Sequence, residues 1–208
     1  MQAKFIVIEG LEGAGKSTAI PYIFEILKAK GINDVVHVRE PGGTEVSEQI
    51  RNIVKYQGDE KIYPETEAML MYASRIQVVN NIIKPALANN KWVIADRHEY
   101  STIAYQGAGR GLDCDFLNMV KQETLGDFKH DLCIYLDVDP KIGLTRAKIR
   151  GELDRFEIEK LEFFEKIRNK YLELVNADKK AVIINGNNDI EDVKAQILKV
   201  FNKYIFVN

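Results

Sequence analysis

Cysteine is scarce in this chain: Cys114 and Cys133 are the only two, far apart and without the close spacing of a metal site. That excludes a zinc-clasped scaffold, and reduced thiols in a cytoplasmic protein are expected rather than a disulfide. Long apolar runs are missing. The longest are strand-sized, which excludes a helical membrane span. The first residues pass straight into a strand, so no signal peptide is expected. Tryptophan occurs once, and repeats and low-complexity tracts are lacking, which excludes a solenoid. No charge sign dominates: 29 Lys and Arg face 31 Asp and Glu, for a net charge of −2. A sequence-wide nucleic-acid footprint is excluded, and any basic cluster must be local. What is abundant is apolar material, 46% of 208 residues. That suits one compact domain over 1–208 with a real core, although length alone also allows two small ones.

The strongest feature runs from Phe5 to Thr18. A stretch of β-formers ends at Glu9, and Gly10-Leu11-Glu12-Gly13-Ala14-Gly15-Lys16-Ser17-Thr18 follows, opening a helical pattern. Gly10, Gly15, Lys16 and Ser17 fill every fixed position of the G-x-x-x-x-G-K-[ST] phosphate-binding loop. A triphosphate needs several backbone N–H groups aimed at one point, and glycines let the chain wrap that closely. Lys16 brings a positive charge to the β- and γ-phosphates. The Ser17 hydroxyl is suited to a Mg²⁺ ion, and the helix N-terminus beyond adds its dipole. The chain is expected to bind a nucleoside triphosphate here.

Beyond the loop, strands and helices alternate. A helix to about Lys30 contains Pro21, which cannot donate to the Ser17 carbonyl, so a kink is expected. Strands follow at Val35–Val38, Trp92–Ala95, Leu132–Leu136 and Ala181–Ile184. Thr44 caps a helix expected to bury Val46, Ile50, Ile53 and Val54. A long helix from Glu65 to about Asn90 should kink at Pro85. Ser101 to Gln106 look helical, and Gly107 to Gly111 read as a flexible loop. Asp113 and Pro140 open further helices, and Leu161 to Val175 presents Phe164, Ile167, Tyr171 and Leu174 on one face. The fold class is therefore α/β: a P-loop NTPase-type parallel five-stranded sheet with helices on both faces and a short basic lid at about 143–156. Ligands of such sheets lie beyond the carboxyl ends of the strands, where Arg39, Asp96 and Asp137 fall.

A phosphate loop alone serves switches, motors and kinases. An Asn-Lys-x-Asp guanine-reading stretch is missing, and the chain is short for a motor. Six motifs then occur in order: GLEGAGKST, REPGGT at Arg39–Thr44, YASR at Tyr72–Arg75, DRH at Asp96–His98, AYQGAGRG at Ala104–Gly111, and RGELDR at Arg150–Arg155. Together they closely resemble the thymidylate kinase family, bacterial type, over nearly the whole chain.

That resemblance implies transfer of the ATP γ-phosphoryl group to dTMP, in a homodimer, with Mg²⁺ as cofactor. It implies that Lys16, Asp96, Lys148, Arg150 and Arg155 are catalytic, the last three closing over the phosphates to balance the acidic Glu12. Ser17 and Asp96 would hold the metal, and Arg146 would pack on adenine. The dTMP site would comprise Arg39, Glu40, Pro41, Met71, Arg75, Arg97, Ser101, Thr102, Tyr105 and Gln106. Among these, Arg39 and Arg97 would grip the phosphate, Arg75 would reach the thymine carbonyl, and Tyr105 would crowd the ribose 2′ position. Met71 stands where the family usually stacks a phenylalanine. Other readings remain open on the residues alone: a UMP or CMP kinase, a deoxynucleoside kinase using Glu40 or Asp96 as a base, or a non-catalytic nucleotide-binding regulator.

Overall fold

The computed structural model describes residues 1–151 and 155–206, without the Arg150 side chain. Five parallel strands, β1 (Phe5–Gly10), β2 (Val35–Arg39), β3 (Trp92–Asp96), β4 (Leu132–Asp137) and β5 (Ala181–Asn185), lie in the order β2-β3-β1-β4-β5. Every residue of β1 is buried, because helices cover both faces of the sheet. Its side chains alternate. Ile6 and Ile8 enter a core with Ile23, Leu27, Phe164 and Tyr171, while Phe5 and Val7 face Val38, Val78, Val79 and Ile83. The period of two divides one apolar run between two cores.

The helices are α1 (Lys16–Ala29), α2 (Glu45–Val54), α3 (Pro64–Val78), α4 (Lys84–Ala88), α5 (Glu99–Thr102), α6 (Cys114–Leu125), α7 (Pro140–Arg150), α8 (Leu161–Ala177) and α9 (Ile190–Tyr204). Thr44 caps α2 by accepting from Ser47 N, and Asp113 caps α6 by accepting from Asp115 N. Pro21 lies inside α1 on its exposed side.

Four local expectations are corrected. The long Glu65–Asn90 helix is interrupted by a π-helical turn at Val79–Ile83, just before Pro85. Proline lacks an N–H for the carbonyl four residues back, and widening the preceding turn lets the chain continue. Gly107–Gly109 is not a flexible loop but the end of a second π-helical segment, Ile103–Gly109. There a Cβ on Gly109 would sit 2.6 Å from the Phe163 ring. On α2, Val46 and Ile53 face outward, 50% and 52% exposed, while Val54 is buried. On α8, Val175 rather than Leu174 completes the buried face.

The register places the strand ends along one edge: Asp96 is opposite both Ile8 and Arg39, and Leu136 is opposite Gly10. The phosphate loop leaves the central strand at this edge, so everything loaded onto neighbouring strand ends faces it.

Candidate active site

The loop is shaped by two glycines for different reasons. Gly15 has φ 95°, a left-handed backbone that favours glycine. Gly13 has φ 69°, and a Cβ on it would lie 2.0 Å from the Gly143 carbonyl oxygen. The loop thus packs directly on α7, which sets Arg146 one turn further along. Lys16 folds back and donates to the carbonyls of Gly10 and Leu11, both at 3.1 Å. Burial, then the nearby Arg97 guanidinium, pushes its pKa down to about 8.

Arg97 is the hub of the acceptor side. Its backbone is left-handed at φ 69°, unusual for a residue other than glycine, and its N–H is held by the Ile8 carbonyl at 2.9 Å. This bend turns the guanidinium toward the loop. There it donates to Glu12 Oε1 at 2.7 Å, Tyr105 OH at 3.1 Å, Ser101 Oγ at 3.2 Å and Tyr171 OH at 3.3 Å. Tyr105 OH donates to the other Glu12 oxygen at 2.6 Å. The acid in the phosphate loop is therefore balanced by Arg97 from the end of β3. β3 pairs with β1, which brings Arg97 to Glu12; the Arg150 side chain, which the resemblance also places over the phosphates, lies outside the described residues.

Beneath this lies Glu9, wholly buried, accepting from His98 N at 2.9 Å, Ser101 Oγ at 2.6 Å and Tyr171 OH at 2.9 Å. It ties the start of α5 to α8 and carries Ser101 toward Arg97. Beside it, Asp96 Oδ1 is buried without a hydrogen-bond partner. A buried carboxylate oxygen left unpaired is costly unless a cation or ordered water completes it. Asp96 and the exposed Ser17 fit a hydrated Mg²⁺, which takes few protein ligands and shares its shell with phosphates. Among the described residues no group of three or more His, Cys, Asp or Glu forms a closed metal cage.

Two cavities flank the loop. One, of about 560 Å³, is bordered by Glu12–Ser17, Arg39–Pro41, Met71, Asp96, Arg97, Ser101, Tyr105, Gln106 and Phe156. The other, of about 620 Å³, is bordered by Thr18, Gly186, Asp189, Lys194 and Ile197. Both touch Gly13–Gly15 and Arg146, whose guanidinium donates to the Gly186 carbonyl at 2.7 Å.

Not every expected residue reaches these walls. Arg75 lies behind the first cavity, fully buried, giving Nε to Glu40 at 2.7 Å, Nη1 to Glu99 at 3.2 Å, and Nη2 to the His98 carbonyl at 2.8 Å and to Thr102 Oγ1 at 2.9 Å. The expectation that it projects into the site is corrected: two buried carboxylates hold it, and Thr102 is buried with it. Arg155 does not face the phosphate loop either. It donates to Glu67 at 2.7 Å and to the Val54 carbonyl at 3.0 Å. Lys148 is exposed on α7, and the Arg150 side chain lies outside the described residues.

Sequence reasoning missed Glu9, Glu67, Glu99, Tyr171 and Arg51. Glu9 carried a signal, an acid ending an otherwise apolar strand. Arg51 and Lys55, four apart on and just after α2, both border the first cavity, and Arg51 donates to the Pro41 carbonyl at 2.9 Å. Their spacing already placed them on one face. Tyr171 carried none.

A phosphate loop on the central strand, cavities on both sides and cations gathered at the strand ends define the P-loop class of nucleotide-binding α/β proteins. The thymidylate kinase family model matches residues 8–197. Among curated relatives, thymidylate kinase of Vibrio campbellii is 51% identical over 99% of this chain and 98% of the relative. That of Idiomarina loihiensis is 52% identical over 99% and 100%. The chain belongs to the thymidylate kinase family.

Proposed function

We propose that this protein transfers the γ-phosphoryl group of ATP to dTMP, giving dTDP and ADP. The observation that carries it is the pair of cavities meeting at Gly13–Gly15, the first of them lined by Lys16, Asp96 and Arg97. Identity of about half to full-length thymidylate kinases supports the choice of acceptor.

The acceptor phosphate carries about −1.5 to −2 charge at neutral pH, so its attacking oxygen is already ionised and no general base is required. The chain's work is positional and electrostatic. The loop N–H groups and Lys16 cradle the donor phosphates, and Arg146 flanks adenine in the second cavity. Arg39 and Arg97 hold the dTMP phosphate, Arg97 exchanging Glu12 for it. Ser17 and Asp96 would hold Mg²⁺, which when bound neutralises phosphate charge. Met71 and Gln106 face the thymine, and Tyr105 the deoxyribose. By family resemblance, Lys148 and Arg150 supply cations to the transferring group.

The same reading makes the chain one kinase domain and a cytoplasmic homodimer. Among the described residues no helix is long and apolar enough to cross a membrane. Exposed Met69 on α3 and Met119 on α6 offer apolar surface for a second copy. Light scattering after gel filtration tests the dimer. The function is tested by ADP release from ATP and Mg²⁺ with dTMP, dUMP, UMP, CMP and thymidine as acceptors. A preference for dTMP by about a hundredfold, roughly 2.7 kcal/mol, is expected; equal or better use of thymidine would overturn the reading.

A further inference from the structure

Glu67 takes no part in the chemistry above, yet it is wholly buried against Gln106, which borders the first cavity. It stands on α3 four residues before Met71 and eight before Arg75, on the same helical stripe. Its Oε1 accepts from Gln106 Nε2 at 2.7 Å and from Arg110 Nε at 3.4 Å, and its Oε2 accepts from Arg155 Nη2 at 2.7 Å. Arg110 is held on its other side by Glu159, and both arginines lie over the Phe156 ring.

An ionised carboxylate only accepts hydrogen bonds. The amide of Gln106 has two faces of opposite character, and with Glu67 beside it only the NH₂ end can turn that way. The carbonyl end is then the one left for a ligand. Gln106 borders the cavity, and its Oε1 is buried without a partner. Without Glu67, nothing in this contact would choose between the two amide orientations.

We infer that Glu67 is a positioning residue for base selection. It locks Gln106 with its carbonyl as the free group, so that this wall accepts a hydrogen. A pyrimidine with an imide N–H, as in thymine or uracil, satisfies that acceptor. Cytosine presents a ring-nitrogen lone pair at the same position and leaves two acceptors opposed. Arg155 and Arg110 hold the carboxylate from its far side, so Glu67 has no freedom to rotate away from Gln106. The inference rests on the assignment of Gln106 to the base side of the acceptor cavity.

The test compares kcat/KM for dTMP and dCMP in wild type, Q106A, E67Q, E67D and Q106A/E67Q, with calorimetric dissociation constants where dCMP turns over too slowly. In E67Q the new amide can donate to Gln106 and let it flip. The dTMP-over-dCMP ratio is expected to fall about tenfold or more, because a site built to pair one hydrogen-bonding pattern loses its selectivity when that pattern can invert. E67D keeps an acceptor-only group and should retain most of the ratio, whereas a merely structural role would lower both substrates together. Adding E67Q to Q106A should change the ratio no further. An unchanged ratio in Q106A overturns the placement of Gln106 at the base. A changed ratio in Q106A with an unchanged ratio in E67Q overturns the role of Glu67 alone. If E67Q does not fold, the Gln106 side-chain NH₂ resonances of the wild type decide: one proton shifted by a strong hydrogen bond, with or without dTMP, is expected, and both protons at the shifts of a solvent-exposed glutamine amide would overturn the inference.

Discussion

Glu12 of the phosphate loop and Arg97 at the end of β3 form an ion pair of 2.7 Å that joins the donor and acceptor halves of the site. Arg97 is thereby already oriented before any acceptor arrives, with Glu12 standing where a phosphate oxygen would otherwise balance it. Replacing Arg97 by Ala removes this cation and leaves Glu12 unbalanced. We expect kcat/KM for dTMP to fall by a hundredfold or more, about 2.7 kcal/mol, measured by steady-state ADP release. A change under threefold would remove Arg97 from the acceptor site.

Lys16 makes ATP binding pH-dependent. Its pKa in the free protein is about 8, and a bound triphosphate favours the charged form. Binding should therefore take up a proton above about pH 8, and affinity should weaken as pH rises. Calorimetry in buffers of different ionisation enthalpy measures the uptake, which K16M should abolish. For stability the sign is opposite. Between pH 8 and the ordinary value of 10.5 the unfolded chain binds more protons than the folded one. The cost of burying this charge therefore fades as pH rises through that window.

Arg75 is predicted to matter first for folding. R75A leaves Glu40 and Glu99 buried without their shared cation, which costs about 3–5 kcal/mol. Thermal unfolding should show Tm lower by roughly 10 °C. A normal Tm with lost dTMP selectivity would instead place Arg75 in direct contact with the base.

Met71 borders the acceptor cavity and is 7% exposed. A ring at this position stacks more rigidly than a thioether. M71F should lower KM for dTMP about fivefold, for about 1 kcal/mol of stacking, with kcat little changed. A raised KM would mean that the cavity already fits methionine.

Arg150 and Arg155 should separate. R150A is expected to lower kcat tenfold or more with little change in dTMP binding, read by single-turnover kinetics. R155A, which breaks the contacts with Glu67 and the Val54 carbonyl, should act mainly on KM for dTMP. Equal kcat losses in both would return Arg155 to the transferring phosphate.

The chain itself determined the phosphate loop, the five strands, most helix boundaries and the caps at Thr44 and Asp113. Each depends on neighbours a few residues away: glycine spacing, alternation of apolar side chains, a hydroxyl or carboxylate before a helix. Gly107–Gly109 misled because glycine marks loops in general, and only the approach of Phe163 shows that here it makes room for packing. The charged side chains were legible as charges but not as pairs. Glu12 pairs with Arg97 because strand order sets β3 beside β1, which no local pattern shows. Arg75 was sent into the cavity, whereas Glu40 and Glu99 took it first. Glu9 meets Tyr171 across 162 residues of sequence. A buried carboxylate must find donors wherever the fold supplies them. Which donors those are is decided when β1 settles between β3 and β4, not by any local pattern.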